Sequence, residues 1–206
     1  MVIVAVQTPS ECNRFPCLIF EDNFDELDIE TWEHEITMSG GGNWEFQLYQ
    51  NNRSNSYTRD GKLFIKPMLL EDKYSPGFVK SGSVNLWGMN GVGDVCTGHS
   101  YSGCERKGNG VHYLNPVTSA RLRTLNSFAF RYGRVEVRAK MPAGDWLWPA
   151  IWMLPRGWPY GQWPASGEID IVESREYLEG LFGGSIGSHA SVRLFVRERS
   201  VVKVSR

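Results

Sequence analysis

The segment 167–174 restricts the fold of this chain more than any other part of the sequence. It places three carboxylates within six residues and separates them with isoleucine and valine. As a β-strand, it directs Glu168 and Asp170 to one face and the intervening aliphatic side chains to the other, because successive side chains alternate. Glu173 has the opposite parity. We therefore predict a β-bulge near 171–172 that returns this carboxylate to the acidic face.

Three acids on one strand repel one another, and a chain with a net charge of −1 has no structural need for them. Neighbouring like charges disfavour ionisation, so the crowding predicts a raised pKa for at least one of the three carboxyls. A pair of carboxyls in which one is ionised and one is protonated is what glycosidic cleavage requires. The alternative interpretation is an edge strand whose acidic face is simply solvated.

Tryptophan is concentrated just before the acidic segment. Five of the eight tryptophans lie there, at Trp146, Trp148, Trp152, Trp158 and Trp163. They cannot all be buried with every indole N–H hydrogen-bonded, so some are expected at the surface. Flat exposed rings suit the apolar faces of pyranoses, which favours a sugar-binding site beside the acids.

The rest of the chain predicts an all-β domain. Short runs of β-forming residues alternate with turn clusters, as in the strand 62–66, which follows the turn Asp60-Gly61 and ends at Pro67. The near-neutral charge argues against a nucleic-acid partner that is bound through bulk charge. The longest apolar run, 146–154, is too short to span a membrane.

The four cysteines fall in two close pairs, Cys12 with Cys17 and Cys96 with Cys104. Neither spacing is that of a zinc site, and we predict no metal. Two local disulfides would indicate an exported, extracellular protein, whereas reduced structural thiols are the alternative. The apolar stretch 1–6 is too short for a signal peptide, so no such peptide is evident in this chain.

Residues 163–174 closely resemble the active-site strand of glycoside hydrolase family 16. The six-residue acidic spacing is similar to that of the laminarinases, which are endo-β-1,3-glucanases, whereas the lichenase motif is one residue shorter. Residues 134–141 and 148–154 resemble the family's preceding strands. The cysteine pairs resemble those of animal members, which include laminarinases and β-1,3-glucan recognition proteins of innate immunity.

The resemblance covers about 12–190 and implies a concanavalin-like β-jelly-roll sandwich of two curved antiparallel sheets. On this basis we expect a single domain over 1–206. We also expect it to be incomplete at the C-terminus, because the family continues with further strands. The segment 192–206, with five basic residues and one acid, is instead an atypical tail.

The resemblance also implies roles for individual residues. Glu168 would be the nucleophile, Glu173 the general acid/base, and Asp170 would tune their protonation in a retaining mechanism. Substrate-binding roles are implied for two residues of an early strand and three tryptophans, namely Arg53, Asn55, Trp148, Trp152 and Trp163. No cofactor is implied, because hydrolysis needs only water.

The sequence therefore predicts a secreted, monomeric endo-β-1,3-glucanase whose partner is β-1,3-glucan. One alternative is a pattern-recognition protein that binds the same glucan without cleaving it, and another is an inactive fragment of either. The presence of both glutamates favours the enzyme, because recognition proteins that have lost activity commonly lack one or both.

Overall fold

The computed structural model describes residues 2–3, 16–88, 94–142, 144–174 and 190–196. Within them the chain forms short strands in chain order: β1 (Val2–Ile3), β2 (Glu33–His34), β3 (Gln47–Tyr49), β4 (Ser56–Thr58), β5 (Leu63–Ile65), β6 (Met68–Leu69), β7 (Ser83–Asn85), β8 (Glu105–Lys107), β9 (Val117–Ser119), β10 (Leu122–Arg123), β11 (Gly133–Ala139), β12 (Ala150–Met153), β13 (Ile169–Glu173) and β14 (Ala190–Val196). The helical elements in these ranges are one short α-helix and three single 3₁₀ turns: α1 (Phe78–Ser81), Gly40–Gly42, Leu70–Asp72 and Ser100–Ser102. The predicted all-β class is confirmed.

The chain divides into two compact units. The first unit combines Met1–Asn23 with Ala129–Arg206, and the second unit is Phe24–Phe128. In the first unit, β11 lies between β1 and β14 and pairs antiparallel with both, while β12 pairs antiparallel with β13. Part of the predicted atypical tail is therefore a regular strand, and 197–206 lies outside the described residues.

The described residues of the second unit form four small sheets. β3, β9 and β6 form a mixed sheet in that order, with β3 parallel and β6 antiparallel to β9. The pairs β2–β10, β4–β5 and β7–β8 are antiparallel. A buried apolar cluster packs among these elements and consists of Met38, Leu48, Leu70, Val84 and Leu114.

The hairpin β4–β5 shows why the local sequence folds as it does. Asp60 and Gly61 have φ angles of 52° and 63°, and the Arg59 N–H donates to the Lys62 carbonyl at 3.0 Å. Two successive positive φ angles give the backbone the twist that a two-residue hairpin needs, and an Asp-Gly pair tolerates them well. The strand predicted over 62–66 is confirmed as β5.

A disulfide joins Cys96 to Cys104. Cys17 is also disulfide-bonded, and its predicted partner, Cys12, lies outside the described residues. β7 and β8 pair with each other and leave between them the loop that contains the Cys96–Cys104 disulfide. The Leu86 N–H donates to the Cys104 carbonyl at 2.8 Å, which closes the base of the remaining loop.

None of the helices among the described residues is long and apolar enough to cross a membrane. The single-domain assignment over 1–206 stays a prediction.

Candidate active site

The acidic strand β13 carries a β-bulge. Ile151 lies opposite Val172, but the next residue of β12, Trp152, lies opposite Asp170. Ile171 is therefore the extra residue in the ladder, and the bulge predicted near 171–172 is confirmed. Hydrophobic patterning accounts for it, because a regular strand would have turned either an aliphatic residue or a carboxylate to the wrong face.

The bulge sorts the side chains of β13 by polarity. Glu168, Asp170 and Glu173 are all exposed, whereas Ile171 is 4% exposed and anchors the opposite face. Across the strand pair, the small side chain of Ala150 lies opposite Glu173. The three carboxylates therefore line one solvent-facing surface of the first unit.

An indole N–H binds Glu173, the last of the three carboxylates in the sequence. Trp148 Nε1 donates to Glu173 Oε1 at 2.6 Å. Just before the start of β12, the Pro149 carbonyl accepts from the Ser174 N–H at 3.3 Å, which prolongs the pairing with β13. This keeps Trp148 in line with β12, so its ring reaches across the strand pair to the glutamate.

A second indole N–H binds Glu168, the first of the three carboxylates in the sequence. Trp163 Nε1 donates to Glu168 Oε2 at 3.0 Å, although the tryptophan is 61% exposed. The intervening turn is closed by the Gly167 N–H, which donates to the Pro164 carbonyl at 2.9 Å. Gly167 has a φ of 87°, which a residue with a side chain adopts only with strain, so glycine is required at this turn.

Burial and charge single out the middle carboxyl. Partial burial raises the pKa of Asp170, and the negative charge of Glu173 raises it further. The prediction that at least one carboxyl has a raised pKa is thus confirmed, but desolvation contributes more than the like charge on which that prediction relied. Asp170 lies between Glu168 and Glu173 in the sequence of the three acids.

Several aromatic side chains of the first unit are exposed, as predicted. Trp152 is half-buried and lies opposite Asp170, on the face of the acids. The larger exposed rings near β12 and β13 are Trp146 at 75%, Trp158 at 46%, Tyr160 at 82% and Trp163 at 61%.

Arg53 belongs to the second unit. Its side chain is exposed, and its guanidinium contacts the Asn51 side-chain oxygen and His34 Nε2, the latter at 3.4 Å. His34 was not identified from the sequence, since nothing in the local pattern connects it to a residue 19 positions away. Burial, with a smaller contribution from Arg53, lowers the pKa of His34 to about 4.

Asn55 is 1% exposed, and its amide is engaged within the protein. The amide donates to the Lys66 carbonyl at 2.9 Å and to the Thr118 carbonyl and hydroxyl, and it accepts from Gln50. These contacts hold β4 against its neighbours. The substrate-binding role of Asn55 stays a prediction, and the described contacts are those of a structural residue.

The described part of the chain contains no group of three or more His, Cys, Asp or Glu side chains arranged to hold a metal ion.

Comparison with known proteins relates this chain to characterised ones. Residues 99–198 match the family model described as XgeA-like, catalytic GH16 domain. A β-1,3-glucan-binding protein of Penaeus monodon is 72% identical over 167 residues, which is 81% of this chain and 46% of that protein. Glucan endo-1,3-β-glucosidase A1 of Niallia circulans is 34% identical over 179 residues, which is 82% of this chain and 21% of that protein.

Among solved structures, LamAcat of Zobellia galactanivorans aligns with 31% identity and a TM-score of 0.49, covering 77% of this chain and 55% of that chain. The chain spans less than half the length of the two relatives named above.

Proposed function

The chain belongs to glycoside hydrolase family 16, and from this membership we propose that it binds β-1,3-glucan and hydrolyses internal bonds of the polymer with retention of configuration. Because the chain belongs to this family, its fold is the family's β-jelly-roll. One observation carries the proposal: the bulge in β13 brings three carboxylates to one exposed face, and an indole N–H binds each outer one.

In the proposed reaction, Glu168 attacks the anomeric carbon and forms a glycosyl-enzyme, while Glu173 protonates the departing glycosidic oxygen. Glu173 then takes a proton from water, and the water oxygen displaces Glu168. The hydrogen bonds from Trp163 and Trp148 support these roles, because each fixes the orientation of a carboxylate before substrate arrives.

Asp170 supports the proton transfers from its position between the two glutamates. Its raised pKa favours the protonated form more than for an ordinary aspartate, so it can hydrogen-bond to an ionised neighbour. Trp152 lies on the same face and, together with the exposed Trp163 ring, can stack on pyranose units next to the scissile bond.

A second candidate function is glucan recognition without cleavage. The Penaeus monodon protein, 72% identical to this chain, is named for binding. The geometry favours hydrolysis, because binding alone does not require three carboxylates in register. In either case we propose an extracellular, monomeric protein, and the disulfides support export.

Reducing ends released from laminarin, the soluble β-1,3-glucan, test the proposal. We expect release by the wild type and by Glu105→Gln, which removes an exposed acid that is not one of the three carboxylates. We expect none from Glu168→Gln or Glu173→Gln. Glu168→Gln should still be retained on insoluble β-1,3-glucan.

Retention of the wild type without release of reducing ends would replace hydrolysis with recognition. The absence of both reducing-end release and retention on glucan would overturn both functions.

A further inference from the structure

His34 is a buried histidine of β2 that contacts the turn carrying Arg53. It is 5% exposed, and its Nε2 atom lies 2.8 Å from the Ser56 hydroxyl and 3.4 Å from Arg53 Nη2. A guanidinium nitrogen can only donate a hydrogen bond, so Nε2 is the acceptor and the ring proton is assigned to Nδ1. The Ser56 hydroxyl, which can also donate, shares this acceptor from the buried side.

The imidazole of His34 is uncharged at neutral pH. Burial lowers its pKa to about 4, with a smaller contribution from the positive charge of Arg53, and the negative charge of Asp94 acts in the opposite direction. An imidazolium has no acceptor, whereas a neutral imidazole has one. The electrostatics of the site therefore keep His34 in the form that can accept from the guanidinium.

The guanidinium of Arg53 is held at one nitrogen only. Nη2 also donates to the side-chain oxygen of Asn51, so both of its N–H groups are used. The N–H groups on Nε and Nη1 make no hydrogen bond to the described part of the chain, and the side chain is exposed. These N–H groups are therefore open to a ligand on the solvent side.

The groups that hold Arg53 do not neutralise its charge. Arg121 and Arg123 of the same unit form ion pairs with glutamates in and beside β2. Arg53 takes part in no ion pair within the described residues, and its two acceptors are a neutral imidazole and a neutral amide. A carboxylate would orient the guanidinium but compensate its charge, whereas these acceptors orient it and leave the charge for a ligand.

The backbone of the turn that carries Arg53 is fixed as well. The Asn52 carbonyl accepts from the N–H groups of Asn55 and Ser56 at 2.8 and 2.9 Å, and Asn52 Oδ1 accepts from the Ser54 N–H at 2.8 Å. Arg53 lies within this hydrogen-bonded turn, so both its backbone and its guanidinium are restrained. A ligand that binds a restrained arginine does not have to immobilise it first, which preserves affinity.

We propose that His34 is a positioning residue for substrate binding: its neutral imidazole holds the Arg53 guanidinium in one orientation, so that the remaining N–H groups donate to hydroxyl oxygens of a β-1,3-glucan chain. The proposal rests on the proposed function, which supplies the ligand, and on the predicted substrate-binding role of Arg53. Hydrogen bonds from a charged donor are roughly twice as strong as those between neutral groups, so the orientation of this donor matters for affinity. His34 itself does not contact the sugar in this proposal.

A double-mutant cycle on laminarin binding tests the proposal, with all variants built on Glu168→Gln so that the polymer stays intact. We expect Arg53→Ala to weaken binding about tenfold and His34→Phe about threefold, because a phenyl ring fills the space of the imidazole but accepts no hydrogen bond. In the Arg53→Ala background, His34→Phe should have no further effect, because the guanidinium that it positions is absent. Equal losses from His34→Phe in both backgrounds would overturn the proposal.

Two further variants separate the acceptor and the charge. The side-chain oxygen of His34→Gln can replace Nε2 as the acceptor, so this variant should bind laminarin like its parent, and a loss equal to that of His34→Phe would overturn the proposal. Arg59→Ala is the matched control for charge, because Arg59 is an exposed arginine of the same unit that lies over the rings of Tyr57 and Phe64. It should also bind like its parent, and a loss equal to that of Arg53→Ala would assign the effect to net charge and overturn the proposal.

Motion of the Arg53 side chain gives a second measurement that needs no ligand. The ¹⁵N relaxation of Arg53 Nε should report a restrained side chain in the parent and in His34→Gln, and a more mobile one in His34→Phe. Unchanged relaxation in folded His34→Phe would overturn the proposal, and the smaller His34→Leu replaces this variant if its melting curve shows that it does not fold.

The two measurements distinguish this proposal from the proposed function. A parent that does not bind laminarin would refute the proposed function and, with it, the glucan ligand of this proposal. A parent that binds laminarin but shows no coupling between His34 and Arg53 would refute the positioning role alone.

Discussion

Deletion of Val172 tests whether the bulge is what brings Glu173 to the acidic face. Removal of one residue from the bulge restores regular alternation, and Glu168, Asp170 and Glu173 then share a face without a bulge. Deletion of both Ile171 and Val172 reverses the parity of Glu173 instead. The two deletions differ by one residue and predict opposite outcomes.

The structure sets the expected magnitudes. Val172 is half-buried, so its loss should cost about 1 kcal/mol of the free energy of unfolding, and Val172→Ala should cost a similar amount with the bulge retained. The double deletion also removes Ile171, which is 4% exposed, and turns a carboxylate toward the apolar face, so its cost should exceed about 4 kcal/mol.

The assays are thermal unfolding, reducing-end release from laminarin, and the ¹H–¹⁵N resonance of the Trp148 indole, which donates to Glu173. The single deletion shifts the carboxylates by a fraction of a residue, so turnover should fall about 10- to 100-fold yet exceed that of Glu168→Gln. The Trp148 resonance should keep its hydrogen-bonded position. A folded single deletion that lacks both turnover and this resonance position would refute the parity argument.

Three further changes test the electrostatics and hydrogen bonds. Trp163→Phe removes the exposed indole N–H that donates to Glu168, so kcat should fall about fivefold while the free energy of unfolding changes by less than about 0.5 kcal/mol. An unchanged kcat would show that this hydrogen bond does not orient the nucleophile. Because the pKa of Asp170 is raised in the folded protein, ionisation of this carboxyl lowers the free energy of unfolding as pH rises above 3.8. Asp170→Asn should therefore have a higher melting temperature than wild type at pH 7 and the same melting temperature at pH 3, and a lower one at pH 7 would contradict this. The pKa of His34 is lowered to about 4, so stability present above pH 6.5 should be lost as pH falls toward 4. In a pH series of melting curves, His34→Gln should flatten this pH dependence, and an unchanged slope would assign the pH dependence to other groups.

The sequence by itself determined the features that depend on local patterning. Alternation along 167–174 predicted both the acidic face and the bulge, and the Asp60-Gly61 pair predicted the turn that precedes β5. The close spacing of Cys96 and Cys104 predicted their disulfide. Each of these properties is fixed by residues within about ten positions of one another, so a linear pattern contains the information.

The tertiary structure decided which groups meet across longer separations. Trp148 and Glu173 are 25 residues apart, and only the pairing of β12 with β13 joins the indole to the carboxylate. Burial of Asn55 and the contact of His34 with Arg53 were equally inaccessible to sequence patterns, because burial and charge depend on what other segments pack against a residue. The contacts of Trp87 with His99 and of Trp44 with Tyr101 have the same origin, since each joins a ring of the disulfide loop to a tryptophan from another segment.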